Sequence, residues 1–244
     1  MNMRSLEYYR NVVLMAAAMI AFVLSGPAKA AGRAEIEAVT FATEPKNVYV
    51  PLEETAKRLR LRFTKTEGSG QLNFVKGSVS AESIRRFVDG TELISIDDLQ
   101  TVGVRVDQDA ASGAIEVGRG FRRVNVTIGA KRVEIDLAKQ RLSAWQGKRL
   151  VLQTRISSGR NGRTPAGKFK AGPYKARKHY SSLYNNAPMP WSVQVSGNIF
   201  VHGFTSVPDY PASHGCIRVP LTGGNPAKFF FEWANVGTPI AIVR

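Results

Sequence analysis

From residue 124 onward the chain is written in short runs that alternate apolar and polar side chains. Val124-Asn125-Val126-Thr127-Ile128 is one such run, and Val133-Glu134-Ile135-Asp136-Leu137 is the next. A period of two puts every second side chain on one face of a pleated strand. Arg141 to Trp145 and Leu150 to Ile156 flank Gln146-Gly147-Lys148, a hairpin turn signal. Lys168 to Tyr174, Trp191 to Val195 and Ile199 to Val201 read as further strands, punctuated by the turn clusters Asn161-Gly162 and Thr164-Pro165-Ala166-Gly167. Asn225 and Pro226 then make a good helix start, as N-cap and first helical residue. Phe229, Phe230 and Trp233 would cover one face of that helix, which stops at Gly237, and Pro239 to Val243 closes the chain as a strand. The pattern predicts a compact, mainly β domain with one C-terminal helix.

The residues before this region follow a different plan. Val48 to Val50 reads as a strand, Pro51 opens a helix carrying Leu52, Thr55, Ala56 and Leu59, and strands follow at Leu61 to Phe63 and Gln71 to Val75, joined by a turn at Gly68-Ser69-Gly70. A weaker echo runs from Leu93 to Ile96, through a short helix at Asp97-Asp98-Leu99, to Val102–Val106 and, after Ser112-Gly113, Ala114–Val117. Two copies of strand–helix–strand–strand predict a small α+β domain with internal pseudo-symmetry. Through Tyr49-Val50-Pro51-Leu52 it resembles the stalk-like domain at the N-terminus of copper amine oxidases. It has no His or Cys, so the resemblance implies a spacer or a binding module for cell-wall polymer.

Charge divides the chain at the same place. Residues 31–120 carry 12 bases and 14 acids, whereas residues 121–244 carry 19 bases and only Glu134, Asp136, Asp209 and Glu232 as acids. This shift, with Gly118-Arg119-Gly120 reading as a hinge, sets expected domains at 31–120 and 121–244. Residues 1–30 read as a signal peptide: Arg4 and Arg10, an apolar run from Val12 to Leu24, and an Ala28-Lys29-Ala30 cleavage site. The run is shorter than the ~20 residues that span a bilayer. Export to the periplasm or cell wall follows, with a soluble chain after cleavage. Nucleic acid is then excluded as the anionic partner. The single Cys excludes a disulfide framework.

That Cys lies in a dense cluster. His202-Gly203 precedes Ser213-His214-Gly215-Cys216-Ile217-Arg218 by a short spacer. A buried inert thiol is the plain reading of a lone Cys. Its neighbours argue for another: imidazole and guanidinium groups stabilise a thiolate, and the Gly215 and Cys216 amides can face a developing oxyanion. Binding of a metal by His202, His214 and Cys216 falls short of the four ligands of a structural zinc site. No metal or cofactor is expected. His179, beside Lys178 and Tyr180, reads as a surface residue.

These motifs resemble the L,D-transpeptidase catalytic domain of the YkuD family. Supporting matches include Ile135-Asp136-Leu137 leading to Gln140-Arg141-Leu142, Ser158-Gly159 followed by Thr164-Pro165-Ala166-Gly167-Lys168-Phe169, Met189-Pro190-Trp191 and Gly237-Thr238-Pro239-Ile240. Two departures stand out: a short spacer between His202 and Ser213, and Phe204 in place of a small polar residue. The resemblance implies a β-sandwich with Cys216 as nucleophile and His202 as its base. It implies that the Gly203 carbonyl orients His202, with Asp209 as the alternative orienting group. His214 and Gly215 would lie on the oxyanion side. Arg218, Ser213, Trp191 and Tyr210 would bind substrate. The implied reaction is formation of 3→3 crosslinks between peptidoglycan stem peptides through a thioester, with release of D-Ala. A hydrolase using water as acceptor, or attachment of an envelope protein to the wall, would use the same residues.

Overall fold

A computed structural model describes residues 34–66 and 70–244 of the chain, and Ala34–Arg244 form one compact unit. The signal segment and most of the Gly68-Ser69-Gly70 turn lie outside the described residues. Among those described, no helix is long and apolar enough to cross a membrane.

The N-terminal elements follow the expected order, but the strand after the first helix is Phe63–Thr66 and not Leu61 to Phe63, and its echo is Val106–Gln108 and not Val102 to Val106. Pro51 ends the strand Glu44–Pro51 and caps the helix Leu52–Leu59, rather than opening its first turn. Glu53 and Glu54 lie at that helix's positive end and Lys57 and Arg58 at its negative end. Leu52, Thr55, Ala56 and Leu59 are buried. In the echo, Ser95 accepts a hydrogen bond from the Asp98 amide at 2.9 Å and caps Ile96–Thr101. Two sheets result. One is three-stranded, in the order Phe63–Thr66, Gln71–Phe74, Gly77–Ser80. The other is seven-stranded, running Arg85–Arg86, Glu92–Ser95, Glu44–Pro51, Glu35–Phe41, Val124–Ile128, Ile115–Val117, Val106–Gln108.

This order moves the expected boundary. Val124–Ile128 pairs in parallel with Glu35–Phe41, Glu35 opposite Asn125 and Ala38 opposite Ile128, so it belongs to the N-terminal sheet. The charge step at residue 120 therefore falls inside a sheet, because surface charge does not report which strands pair. Within Gly118-Arg119-Gly120, Gly118 sits in a packed corner, while Arg119 and Gly120 are exposed. A side chain on Gly118 would meet Leu59 Cδ2 and the Arg122 carbonyl oxygen at 2.7 Å each.

The C-terminal half is a β-sandwich. Its five-stranded sheet runs Arg149–Arg155, Arg141–Gln146, Lys131–Asp136, Pro239–Val243, Gly167–Lys170. Its four-stranded sheet runs Lys175–Ala176, Ser192–Ser196, Ile199–Phe204, Ile217–Pro220. Leu142 and Ile135 of the first sheet and Val201 and Ile217 of the second share one core with Phe230 and Trp233 of the helix Pro226–Trp233. Asn225 caps that helix by accepting the Lys228 amide at 3.0 Å. The helix ends at Trp233, four residues before Gly237, because two lysines take its last carbonyls. Lys131 Nζ donates to the Trp233 carbonyl at 2.7 Å, and Lys175 Nζ to those of Phe231 and Ala234. Burial lowers both amines, Lys131 to about 7 and Lys175 to about 8, with mutual repulsion adding to the shift at Lys131.

The halves are joined through the same helix. Phe41 packs edge-on to Phe229 at 5.7 Å, and Arg85 bridges Glu44 and Glu232. Gln146 takes hydrogen bonds from the Thr40 amide and from Trp233 Nε1.

Candidate active site

His202 lies in the strand Ile199–Phe204, which pairs in parallel with Ile217–Pro220 and sets His202 opposite Arg218. Cys216 is the residue that enters the second strand, so neighbouring strands supply the two groups. Both line a cleft of about 280 Å3 that also takes in Arg218, Phe204, Arg163 and Phe200, and among the described residues no carboxylate lines it.

His202 is 4% exposed, and its Nδ1 lies 2.9 Å from the Gly203 carbonyl oxygen. A carbonyl only accepts, so Nδ1 carries the proton and Nε2 of the neutral ring is left with its lone pair. Burial lowers the imidazole to about 4, and Arg218 pushes the same way against the Gly203 hydrogen bond. The ring is therefore neutral at pH 7. Gly203 is buried against Leu221 and Ala227, and a Cβ there would come within 3.2 Å of Ala227 Cβ. Asp209 is exposed and does not line the cleft, and the hydrogen-bond partner of His202 Nδ1 is the Gly203 carbonyl.

Cys216 is half-buried, with Sγ 3.5 Å from the Asn198 carbonyl oxygen. Burial pushes its thiol up, while a hydrogen bond from the Phe200 backbone and the charge of Arg218 pull it down by less. The resting pair is thus thiol and neutral imidazole, without a preformed ion pair.

A buried polar network holds the Cys216 turn. Ser213 Oγ donates to the Cys216 carbonyl at 2.6 Å and accepts the Gly215 amide at 3.0 Å. The Gly215 amide is thereby committed, which corrects the expectation that it faces an oxyanion. Ser213 is likewise a turn residue with its hydroxyl already occupied. Gly215 itself has φ +146°, a conformation that favours glycine. Thr164 is 1% exposed, and its Oγ1 accepts the Gly159 amide at 2.7 Å and donates to the Gly215 carbonyl at 2.6 Å. Gln140 supports this layer, accepting the Ser158 amide at 2.7 Å and donating to Ser158 Oγ at 2.9 Å. Gly159 approaches so closely that a Cβ on it would lie 2.8 Å from Gly215 Cα.

The remaining expected residues divide. The Arg218 guanidinium lies over the Phe204 ring at 4.1 Å, which gives the Phe204 departure a function: it carries the cation on its face. His214 is exposed at the cleft mouth, stacked on Tyr184 at 4.3 Å, and its Nε2 accepts a hydrogen bond from Arg160 at 2.7 Å. Trp191 does not border the cleft. It has φ +58° and packs on Phe231 at 5.6 Å, because its amide is tied to the Arg177 carbonyl. Tyr210 also lies outside the lining; its side chain is exposed, and its carbonyl accepts Ser157 Oγ at 2.8 Å. His179, expected at the surface, is half-buried, lines the cleft and lies 5.0 Å from the Phe200 ring. Nothing in its sequence neighbourhood signals this, since Phe200 comes from a distant strand.

No protein of curated function matches the chain. Among solved structures it is similar to an L,D-transpeptidase from Xylanimonas cellulosilytica, at 30% identity over 48% of this chain and 62% of that one, with a TM-score of 0.40. An L,D-transpeptidase from Stackebrandtia nassauensis is 24% identical over 47% of this chain and 56% of that one, TM-score 0.42. One from Mycobacterium smegmatis is 17% identical over 86% of this chain and 95% of that one, TM-score 0.42. The chain thus spans less than two thirds of the first two. The L,D-transpeptidase catalytic domain, YkuD, matches residues 130–242, which include His202, Cys216 and the network around them. By that match, residues 130–242 are similar to the L,D-transpeptidase catalytic domain of the YkuD family.

Proposed function

We propose that the chain is an exported, cysteine-dependent acyltransferase that joins peptidoglycan stem peptides. The observation that carries this reading is the hydrogen bond between His202 Nδ1 and the Gly203 carbonyl, which leaves Nε2 basic in the cleft lined by Cys216. As the Cys216 sulfur attacks the carbonyl of the third stem residue, its proton passes to His202 Nε2. The tetrahedral intermediate collapses to a thioester. The C–N bond breaks, and D-Ala leaves with the proton returned by His202. The side-chain amine of a second stem then attacks the thioester, loses a proton to His202 and releases the Cys216 thiol as the 3→3 crosslink forms. With the Gly215 amide engaged by Ser213, the Cys216 amide is the backbone donor for the oxyanion. Arg163 and Arg218 suit the free carboxylates of stem peptides in a cleft without acids. No cofactor enters the cycle. The leader at residues 1–30 supports action in the periplasm or cell wall, and the N-terminal half fits a stalk-like spacer.

Incubation with tetrapeptide muropeptides and mass analysis of the products tests this. Crosslinked dimers with free D-Ala are expected. Tripeptide alone would make the enzyme a hydrolase, and adducts formed only with an envelope protein's amine would make it a wall-attachment enzyme.

A further inference from the structure

A second cavity, of about 530 Å3, lies in the N-terminal half, far in character from the Cys216 cleft. Its floor is apolar. Leu59, Val102 and Val104 are buried there, and Leu61 and Phe74 are half-buried. Its rim is cationic. Arg60, Arg62, Lys76 and Arg119 are exposed, without an ion-pair partner among the described residues, while Arg105 pairs with Asp107, and among the described residues no carboxylate lines the cavity. This segregation stands out because residues 31–120 contain more acids than bases. Two large apolar side chains project beside the rim, Val75 at 85% exposed and Phe121 at 88%. Phe121 is held out by a built turn: the Arg122 amide donates to the Arg119 carbonyl at 3.1 Å, and the Arg123 amide to that of Gly120 at 3.2 Å. Protruding apolar tips among cations, four of them without an ion-pair partner among the described residues, match a surface with phosphates at the level of the cations and hydrocarbon just beneath. A hydrophilic anionic polymer would use the cations and leave Val75, and the face of Phe121 not covered by the Arg122 guanidinium, exposed to water.

We propose that this face docks on an anionic phospholipid bilayer, with Phe121 and Val75 in the headgroup–acyl boundary and the rim cations on lipid phosphates. The proposal is independent of the chemistry at Cys216. It is tested by co-sedimentation of residues 31–244, which lack the apolar leader and include the compact unit, with two sets of vesicles. One set contains phosphatidylglycerol in phosphatidylcholine; the other is phosphatidylcholine alone. Binding is expected only to the first, and it should weaken with salt. The double variant Arg62→Gln/Arg119→Gln should bind about thirtyfold more weakly. Phe121→Ser and Val75→Ser should each lose about tenfold, with thermal midpoint and muropeptide turnover unchanged. Equal binding to both vesicle types, or none, overturns the proposal. So does loss through the arginines with Phe121→Ser and Val75→Ser unaffected, which would assign the face to a soluble anionic polymer.

Discussion

The two cavities differ in more than size. The larger, on the N-terminal half, has an apolar floor and a rim of solvent-exposed cations. The smaller holds His202 and Cys216, and the Cys216 turn is tied by hydroxyl and amide groups whose partners are other buried polar atoms. Space alone does not prepare a site for chemistry. What distinguishes the Cys216 cleft is that its reactive groups have few alternative positions: the His202 tautomer is set by a carbonyl, and the Cys216 turn is held on both sides. The other cavity offers area and charge, which suit adhesion to an extended surface.

This contrast can be broken or sharpened by substitution. Cys216→Ala should remove acyl transfer altogether, a loss of at least about 1000-fold in tetrapeptide turnover, with the circular dichroism spectrum unchanged. Residual thioester formation by mass spectrometry would sink the nucleophile assignment. His202→Ala should lower kcat/KM by about 100- to 10,000-fold. The wild-type profile of kcat/KM should show its acid limb near pH 4, following the buried imidazole, and a limb near 6.5 would mean that burial does not govern the base. Thr164→Val removes the hydroxyl that serves the Gly159 amide and the Gly215 carbonyl. It should cost about 1–3 kcal/mol of stability in denaturant titration and slow acylation more than it weakens substrate binding. An unchanged acylation rate would make the network a matter of folding alone.

Linkage gives a change of similar size. The folded-state imidazole of His202 is depressed below its unfolded value, so the unfolded chain binds the extra proton between about pH 6.5 and 4. The corresponding stability is fully present above about 6.5 and falls by about 3 kcal/mol as the pH drops to about 4. A His202→Gln variant should show a shallower acid dependence across that window. Smallest of all, Phe121→Ser should shift stability by no more than about 0.5 kcal/mol, since the side chain is 88% exposed and its ring contact is with the exposed Arg122. A large loss of stability would show that the projecting tip is structural.

Much of the fold was legible because its signals are local. Alternation marked the strand at Val124–Ile128, the Gln146-Gly147-Lys148 turn signal marked the strand expected at Arg141 to Trp145 and found at Arg141–Gln146, and Asn225-Pro226 marked the last helix. Ser213-His214-Gly215-Cys216 was legible because a thiol, an imidazole and a glycine so close together have few purely structural uses. Other features depend on partners far along the chain. That Val124–Ile128 joins the N-terminal sheet follows from pairing with Glu35–Phe41, some ninety residues away, which alternation cannot reveal. Thr164 and Gln140 look like turn residues and are recognisable as supports only when their partners, Gly215 and Ser158, are seen. Trp191 was drawn toward the cleft by its place beside a motif, but its left-handed backbone turns it onto Phe231.

The parallel pairing of Val124–Ile128 with Glu35–Phe41 bears on how the protein can be dissected. A fragment cut at residue 121 would keep Val124–Ile128 but lose both strands beside it, Glu35–Phe41 and Ile115–Val117, leaving its backbone unpaired and open to self-association. It would also uncover Phe229, which otherwise packs on Phe41 and Phe87, and strand Glu232 without Arg85. The cleft of His202 and Cys216 lies wholly in one half of the polypeptide, yet that half shares a sheet edge, an aromatic cluster and an ion pair with the other.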